Sequence, residues 1–180
     1  MLKITIPAIE QYDDINNKFI TSNKQILQIE HSLVSLSKWE SKWGKPFLSK
    51  DEKSFEEAID YIRCMTITQN VSDECYSAID SEIIKQVRDY IDAPMTATVI
   101  SKNEKKSFSS KIITAEIIYY WMVAATIPFE CQKWHLNRLL TLIDVCNIEN
   151  APKKKMSRKE LLARNKATND ARRAKLNTKG

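Results

Sequence analysis

ITAEIIYYWMVAATIPFECQKWHLNRLLTLIDVCNI, residues 113–148, is the stretch on which the fold turns. It overlaps the most apolar run of the chain, Ile112 to Ile127, which carries one charge, Glu116, and is followed by Pro128. That run has 16 residues, and a bilayer span needs roughly 20 apolar ones. A buried helix is therefore predicted, capped by Ser110 and running to about Thr126. Pro128 suits the first turn of a second helix, where its missing N–H costs nothing. The second helix runs to about Cys146, with Leu136, Leu139, Leu140, Ile143 and Cys146 on one face. Two apolar helices joined by a tight break make a helical hairpin, the candidate centre of the core.

Elements on the N-terminal side follow from shorter patterns. Leu2, Ile4 and Ile6 alternate with Lys3 and Thr5, a strand stopped by Pro7. Residues 8–20 carry Ile9, Tyr12, Ile15, Phe19 and Ile20, a helical spacing with acids early. Gln25 to His31 fits both periods. Leu27 and Ile29 alternate with Gln28 and Glu30, so a strand pairing with the first is expected, then a helix from about Ser32 to Trp43 that Gly44 and Pro46 end. Ser54 and Glu57 form a capping box before a helix showing Phe55, Ala58, Ile59, Ile62 and Met65 on one face. A further helix covers about Asp80 to Ile91, closed by Pro94. Residues 101–110, SKNEKKSFSS, read as a polar loop.

These elements predict an α+β fold, predominantly α. It is a helical bundle around a central helical hairpin, with a small N-terminal strand pair and a C-terminal basic helical arm. The expected core includes Ile59, Ile62, Ile83, Val87, Ile117, Trp121, Leu136, Leu139, Leu140 and Ile143.

The chain carries 28 Lys/Arg and 23 Asp/Glu, a net +5, but residues 151–180 alone hold 11 Lys/Arg and 2 Asp/Glu. The remainder, 17 Lys/Arg and 21 Asp/Glu over residues 1–150, is acidic. Charge thus divides the chain into a globular acidic body, 1–150, and a basic C-terminal arm, 151–180. The N-terminus opens directly on a strand pattern, so no secretory signal is expected. Cys64, Cys75, Cys131 and Cys146 form no CxxC pair and read as free thiols of a soluble intracellular protein.

Chemistry has few footholds. Gly44 and Gly180 are the only glycines, too few for a Walker loop or a dinucleotide fingerprint. His31 and His135 lie far apart in sequence, and no His/Cys cluster has metal-ligand spacing. Cys131 and His135, four apart, would share a helix face, yet nothing beside them suggests an oxyanion hole. Asp13-Asp14 and Glu56-Glu57 lie near predicted helix starts, where the dipole favours acids. No catalytic residue, cofactor or metal is predicted, and the chain reads as a non-enzyme.

Two features suit partners. Trp39 and Trp43 stand at i, i+4, surrounded by Lys38, Lys42 and Lys45. Aromatics with basic neighbours can stack single-stranded nucleic acid, but Glu40 and the acidic body favour packing against the core or a protein. In the arm, Ser157 to Glu160 is a capping box that opens a helix over about 157–175. Such an isolated helix is marginal in water and should order on binding. Lys153-Lys154-Lys155 with Arg172-Arg173 could hold phosphates, or the arm could be a solvated tail. The favoured reading is docking on an acidic protein surface, that of a partner protein or of the acidic body of a second copy. Leu161 and Leu162 would anchor it, with Arg158, Lys159, Arg164, Arg172 and Arg173 steering.

Five segments together carry a resemblance. SKWESKWGKPFLS (37–49), DYIRCMTITQNV (60–71), PMTAT (94–98), the 113–148 stretch and KKMSRKELLARNKATNDARRAKLNTKG (154–180) resemble small tail-morphogenesis proteins of tailed bacteriophages, described as tail assembly chaperones. The resemblance spans nearly the whole chain and is most specific in the central and C-terminal blocks. It implies no catalytic residues. It implies protein–protein work in the host cytoplasm during assembly, holding tape-measure or tail-tube subunits soluble. The alternative within that setting is a minor structural component of the virion tail, baseplate or neck. The alternative of another class is a nucleic-acid-binding module using the basic arm. No membrane partner is implied.

Overall fold

The computed structural model describes residues 1–13, 18–100, 112–151 and 157–177. The expected cap Ser110, the 101–110 loop and the Lys153-Lys154-Lys155 run lie outside them. The fold is α+β and predominantly helical, and the chain forms two compact units, Met1–Ile148 and Glu149–Gly180.

β1 (Leu2–Ile6) pairs antiparallel with β4 (Gln25–Ile29), and β2 (Ile9–Asp13) with β3 (Lys18–Ser22). One register runs through both ladders, from Leu2↔Ile29 and Ile6↔Gln25 to Ile9↔Ser22 and Asp13↔Lys18. They are two halves of one hairpin ribbon, interrupted after Ile6, where Pro7 has no N–H to give a ladder. The helix expected over residues 8–20 is thereby corrected. Spacing of i, i+3 fits a short helix and a strand alike. What decides is cross-strand pairing, Tyr12 opposite Phe19, which a local period does not contain. In β1 and β4 the alternation holds, with Ile4, Ile6, Leu27 and Ile29 buried and Lys3, Thr5 and Gln28 exposed.

The strand-then-helix reading of residues 25–43 is what forms. α1 (Leu33–Trp43) starts at Ser32, whose Oγ accepts the Ser35 N–H while Ser35 Oγ accepts the Ser32 N–H at 2.9 Å. It ends at Gly44 with φ of 62°, a left-handed cap that suits glycine. α2 (Phe55–Met65) opens on the reciprocal Ser54–Glu57 box. α3 (Asp73–Ser77) is a single turn that no pattern announced. α4 (Ser81–Asp92) begins with Asp80 Oδ1 accepting the Ile83 N–H at 2.8 Å and buries Ile83, Val87 and Tyr90.

The central hairpin differs from expectation at its joint. α5 (Ala115–Ala124) is followed by a 3₁₀ turn over Phe129–Lys133 with Pro128 at its N-cap, an extended Trp134, and only then α6 (Leu136–Glu149). The second helix is shorter than predicted because residues 134 and 135 leave the helical path to bridge Ser32↔His135. No helix among the described residues is long and apolar enough to cross a membrane.

Buried side chains form two clusters. One joins Ile4, Ile6, Leu27 and Ile29 of the ribbon with Trp39, Tyr61, Ile62, Met65, Ile83 and Val87. The other joins Leu33 and Leu36 of α1 with Ala115, Ile118, Met122, Leu136, Leu139 and Ile143. α5 and α6 therefore serve one core of two, meeting around Leu33 and Leu36 of α1, and α1 lends a face to each core. Among the expected core residues, Ile62, Ile83, Val87, Leu136, Leu139 and Ile143 are buried, whereas Ile59, Ile117, Trp121 and Leu140 are half-buried. α5 turns Ala115, Ile118 and Met122 inward instead, at helical spacing. In the second unit, α7 (Arg158–Leu176) carries Arg158, Lys159, Arg164, Lys166, Arg172, Arg173 and Lys175 of the arm.

Candidate functional site

At the C-terminal end of α1 the two tryptophans separate in role. Trp39 is 1% exposed and its Nε1 donates to the Glu57 carbonyl at 2.9 Å. Its ring stacks on Trp43 and meets Phe47 edge-on. Trp39 is a core residue in this fold, which corrects its expected place at a partner-binding surface. Trp43 is half-buried and its Nε1 donates to Asp60 Oδ2 at 2.8 Å. It lines a cleft of about 300 Å³ with Lys42, Glu56, Ile59, Asp60 and Arg63.

The lysines around the pair are engaged. Lys42 donates to Asp60, and Lys45 Nζ reaches Glu57 Oε1 at 2.6 Å. Burial pushes the Asp60 carboxyl up, but the hydrogen bonds from Lys42 and Trp43 and the charges of Lys42 and Arg63 outweigh it, and the net shift is downward. Lys45 and the Ser54 N–H likewise hold Glu57 below the usual carboxylate range. These cations neutralise structural carboxylates, and a phosphate backbone would compete with both. Glu40 is buried and accepts two backbone N–H groups, from Phe47 at 2.8 Å and Ala115 at 2.7 Å.

A second cluster joins residues that sequence separation hides. His31 and His135 are both buried, edge to face with ring centroids 5.2 Å apart. They meet because the Leu136 N–H donates to the His31 carbonyl at 2.7 Å beside the Ser32↔His135 bridge. His31 Nδ1 shares a 2.6 Å hydrogen bond with the Tyr61 hydroxyl. His135 Nε2 donates to the Tyr90 carbonyl at 3.0 Å, while its Nδ1 accepts the Asn137 N–H at 3.3 Å. Asn137 Nδ2 donates to the carbonyls of Ile91 and Ala93. Asn137 thus serves the carbonyls of Ile91 and Ala93 at the end of α4, and His135 adds a second donor to the Tyr90 carbonyl, which also accepts the Ala93 N–H at 3.3 Å. The Tyr90 hydroxyl donates to Glu30 Oε1 at 2.6 Å.

Burial, reinforced by His135, lowers His31 to about 3, and burial also lowers His135. Cys131 lies in the 3₁₀ turn and His135 in the bridge to Ser32, so the two do not share the helix face that their spacing suggested, and both His135 nitrogens are engaged in hydrogen bonds elsewhere. Burial raises the Cys64 and Cys75 thiols, the direction opposite to activation. No group of three or more His, Cys, Asp or Glu among the described residues is placed to hold a metal ion.

The arm is the third place. Ser157 Oγ accepts the Glu160 N–H at 3.2 Å and Glu160 Oε2 accepts the Ser157 N–H at 2.9 Å, so the expected box forms. Asn177, at φ of 51°, closes the helix. All residues of α7 are exposed, including Arg158, Lys159, Arg164, Arg172 and Arg173. Leu161 is 47% and Leu162 60% exposed. A 19-residue helix with two adjacent leucines in water has an apolar surface to cover. The chain matches no protein-family model, no curated protein and no solved structure.

Proposed function

We propose that this chain is a tail-morphogenesis protein of a tailed bacteriophage, tail assembly chaperone-like, acting by binding other structural proteins without catalysis. The observation that carries the protein-binding part is α7, a helix capped at both ends whose leucines and basic residues all face solvent. A helix of that kind gains stability by laying its apolar side chains on a partner, while its charges speed encounter with an acidic surface. The phage setting is supported by the resemblance of the five segments. The partners are tape-measure or tail-tube subunits, or further copies of the chain, met in the host cytoplasm. A built-in virion component would use the same contacts.

The test is affinity capture from infected cells with the full chain and with a chain lacking residues 151–180, alongside mass spectrometry of purified virions. Tail subunits held only by the full chain, and a chain absent from virions, fit a chaperone. Presence in virions makes it a tail component. Equal capture by the truncated chain would refute α7 as the docking element.

The charge of α7 favours one second reading, nucleic-acid binding. Counterion release would make such binding fall steeply with salt, so filter binding at low and moderate salt separates it from protein docking.

A further inference from the structure

α5 has an outward side that its own fold leaves bare. Ala115, Ile118 and Met122 turn inward, and Glu116, Tyr120 and Val123, at i, i+4 and i+7, point the other way. Tyr120 is 69% exposed and Val123 61%. Phe129, 54% exposed, follows in the 3₁₀ turn, its ring 6.5 Å from that of half-buried Tyr119. Two exposed carboxylates, Glu116 and Glu130, belong to this stretch, with Lys133 the one exposed cation among its described residues, at the end of the 3₁₀ turn. Isolated exposed apolar residues are ordinary, but exposed apolar side chains gathered on one helix face with polar neighbours suit a contact surface.

α7 has the complementary chemistry. It presents Leu161 and Leu162 to solvent among basic residues, with Arg158 and Lys159 in the same turn. We propose that α7 of a second copy docks on the α5 face, its two leucines against Tyr120, Val123 and Phe129 and its cations beside Glu116 and Glu130. This rests on reading α7 as the docking element and names its partner surface. Both halves of the contact are present on every copy, so the match in charge and apolarity needs no foreign chain. Because the two surfaces differ, the contact is heterologous. Copies join head to tail, closing into a ring or a reciprocal dimer, or running on as a filament.

Analytical ultracentrifugation of the full chain tests this at low and moderate salt. The expected result is concentration-dependent association that weakens as salt screens the charges. Tyr120→Ser with Val123→Ser, and separately Glu116→Lys with Glu130→Lys, should each weaken it at least about tenfold. These positions are exposed, so an unchanged circular-dichroism melt is expected to accompany the loss. Leu161→Ser with Leu162→Ser should weaken it equally. Mixing the α5 variant with the arm variant should restore a one-to-one pair, since one intact face of each kind then remains. A wild-type chain that stays monomeric at low salt, or α5 variants that associate normally, would overturn the proposal. If the chain is monomeric but capture of tail subunits needs α7, this inference fails and the functional reading survives. Association through α5 and α7 in a chain that captures no tail subunit gives the reverse.

Discussion

Glu40 Oε2 accepts the backbone N–H of Ala115 at 2.7 Å, joining residues 75 positions apart. Ala115 is the first residue of α5, and Thr114 at the N-cap makes no side-chain hydrogen bond to the helix. Glu40 thus takes the cap's role from α1, and its other oxygen fixes the Phe47 N–H of the turn after Gly44. Glu40→Gln leaves one accepting oxygen for two buried donors and should cost about 1–3 kcal/mol, with Glu40→Ala costing more. Urea denaturation read by tryptophan fluorescence checks this. An unchanged midpoint for both variants would show that water or another group takes over.

His31 sets an acid limit on the body. Its folded value is about 3 against an ordinary 6.5, so between those values the unfolded chain binds a proton that the folded one does not. Its effect on stability is nil above about pH 6.5 and increasingly unfavourable as pH falls, with a slope of at most about 1.4 kcal/mol per pH unit. His135, shifted the same way, adds to the slope. Melts at pH 7 and pH 5 should show the loss, and His31→Gln should flatten it at the cost of the Tyr61 contact. Parallel pH profiles for the two proteins would exclude His31 as the source.

Neighbouring leucines of α6 should behave differently. Leu139 is fully buried in the α1–α5–α6 cluster and Leu140 is half-buried at its edge. Leu139→Ala should cost roughly 2–5 kcal/mol, and Leu140→Ala distinctly less. Thermal melts of the pair give the comparison. Equal losses would mean that the cluster extends over Leu140.

The described residues of the arm, 151 and 157–177, are all exposed. A chain ending at residue 150 should melt within about 1 kcal/mol of the full chain in stability, the range of surface changes. A truncated body that does not fold would make the arm part of the core.

Local signals were legible in the sequence and remote ones were not. Ser32, Gly44, Ser54 with Glu57, Asp80, and Ser157 with Glu160 marked helix ends because a cap is satisfied within three or four residues. The pairing of β2 with β3 was missed because neither IEQYD nor KFITS alternates apolar with polar residues along its whole length. The burial of Glu40 and the pairing of His31 with His135 left no local trace. Both depend on where α5 and α6 pack against α1, and sequence distance alone left the two histidines unrelated. The exposed Tyr120 and Val123 were hidden by the uniform apolarity of their helix, which has no polar face to point outward.

The closure of α4 by His135 and Asn137 has a consequence for synthesis. A nascent chain emerges N-terminus first, so the ribbon, α1, α2 and α4 are all outside the ribosome before their last hydrogen-bond donors exist. The Tyr90, Ile91 and Ala93 carbonyls wait for residues 135 and 137, the His31 carbonyl waits for Leu136, and the Ala115 N–H reaches back to Glu40. The first ninety or so residues can assemble the ribbon and its own buried cluster, but the Leu33–Leu36 face of α1 and the end of α4 stay uncovered until α5 and α6 have been translated. A ribosome stalled before that point would display that apolar face and a bare α4 end, the state most exposed to misassociation and to proteases.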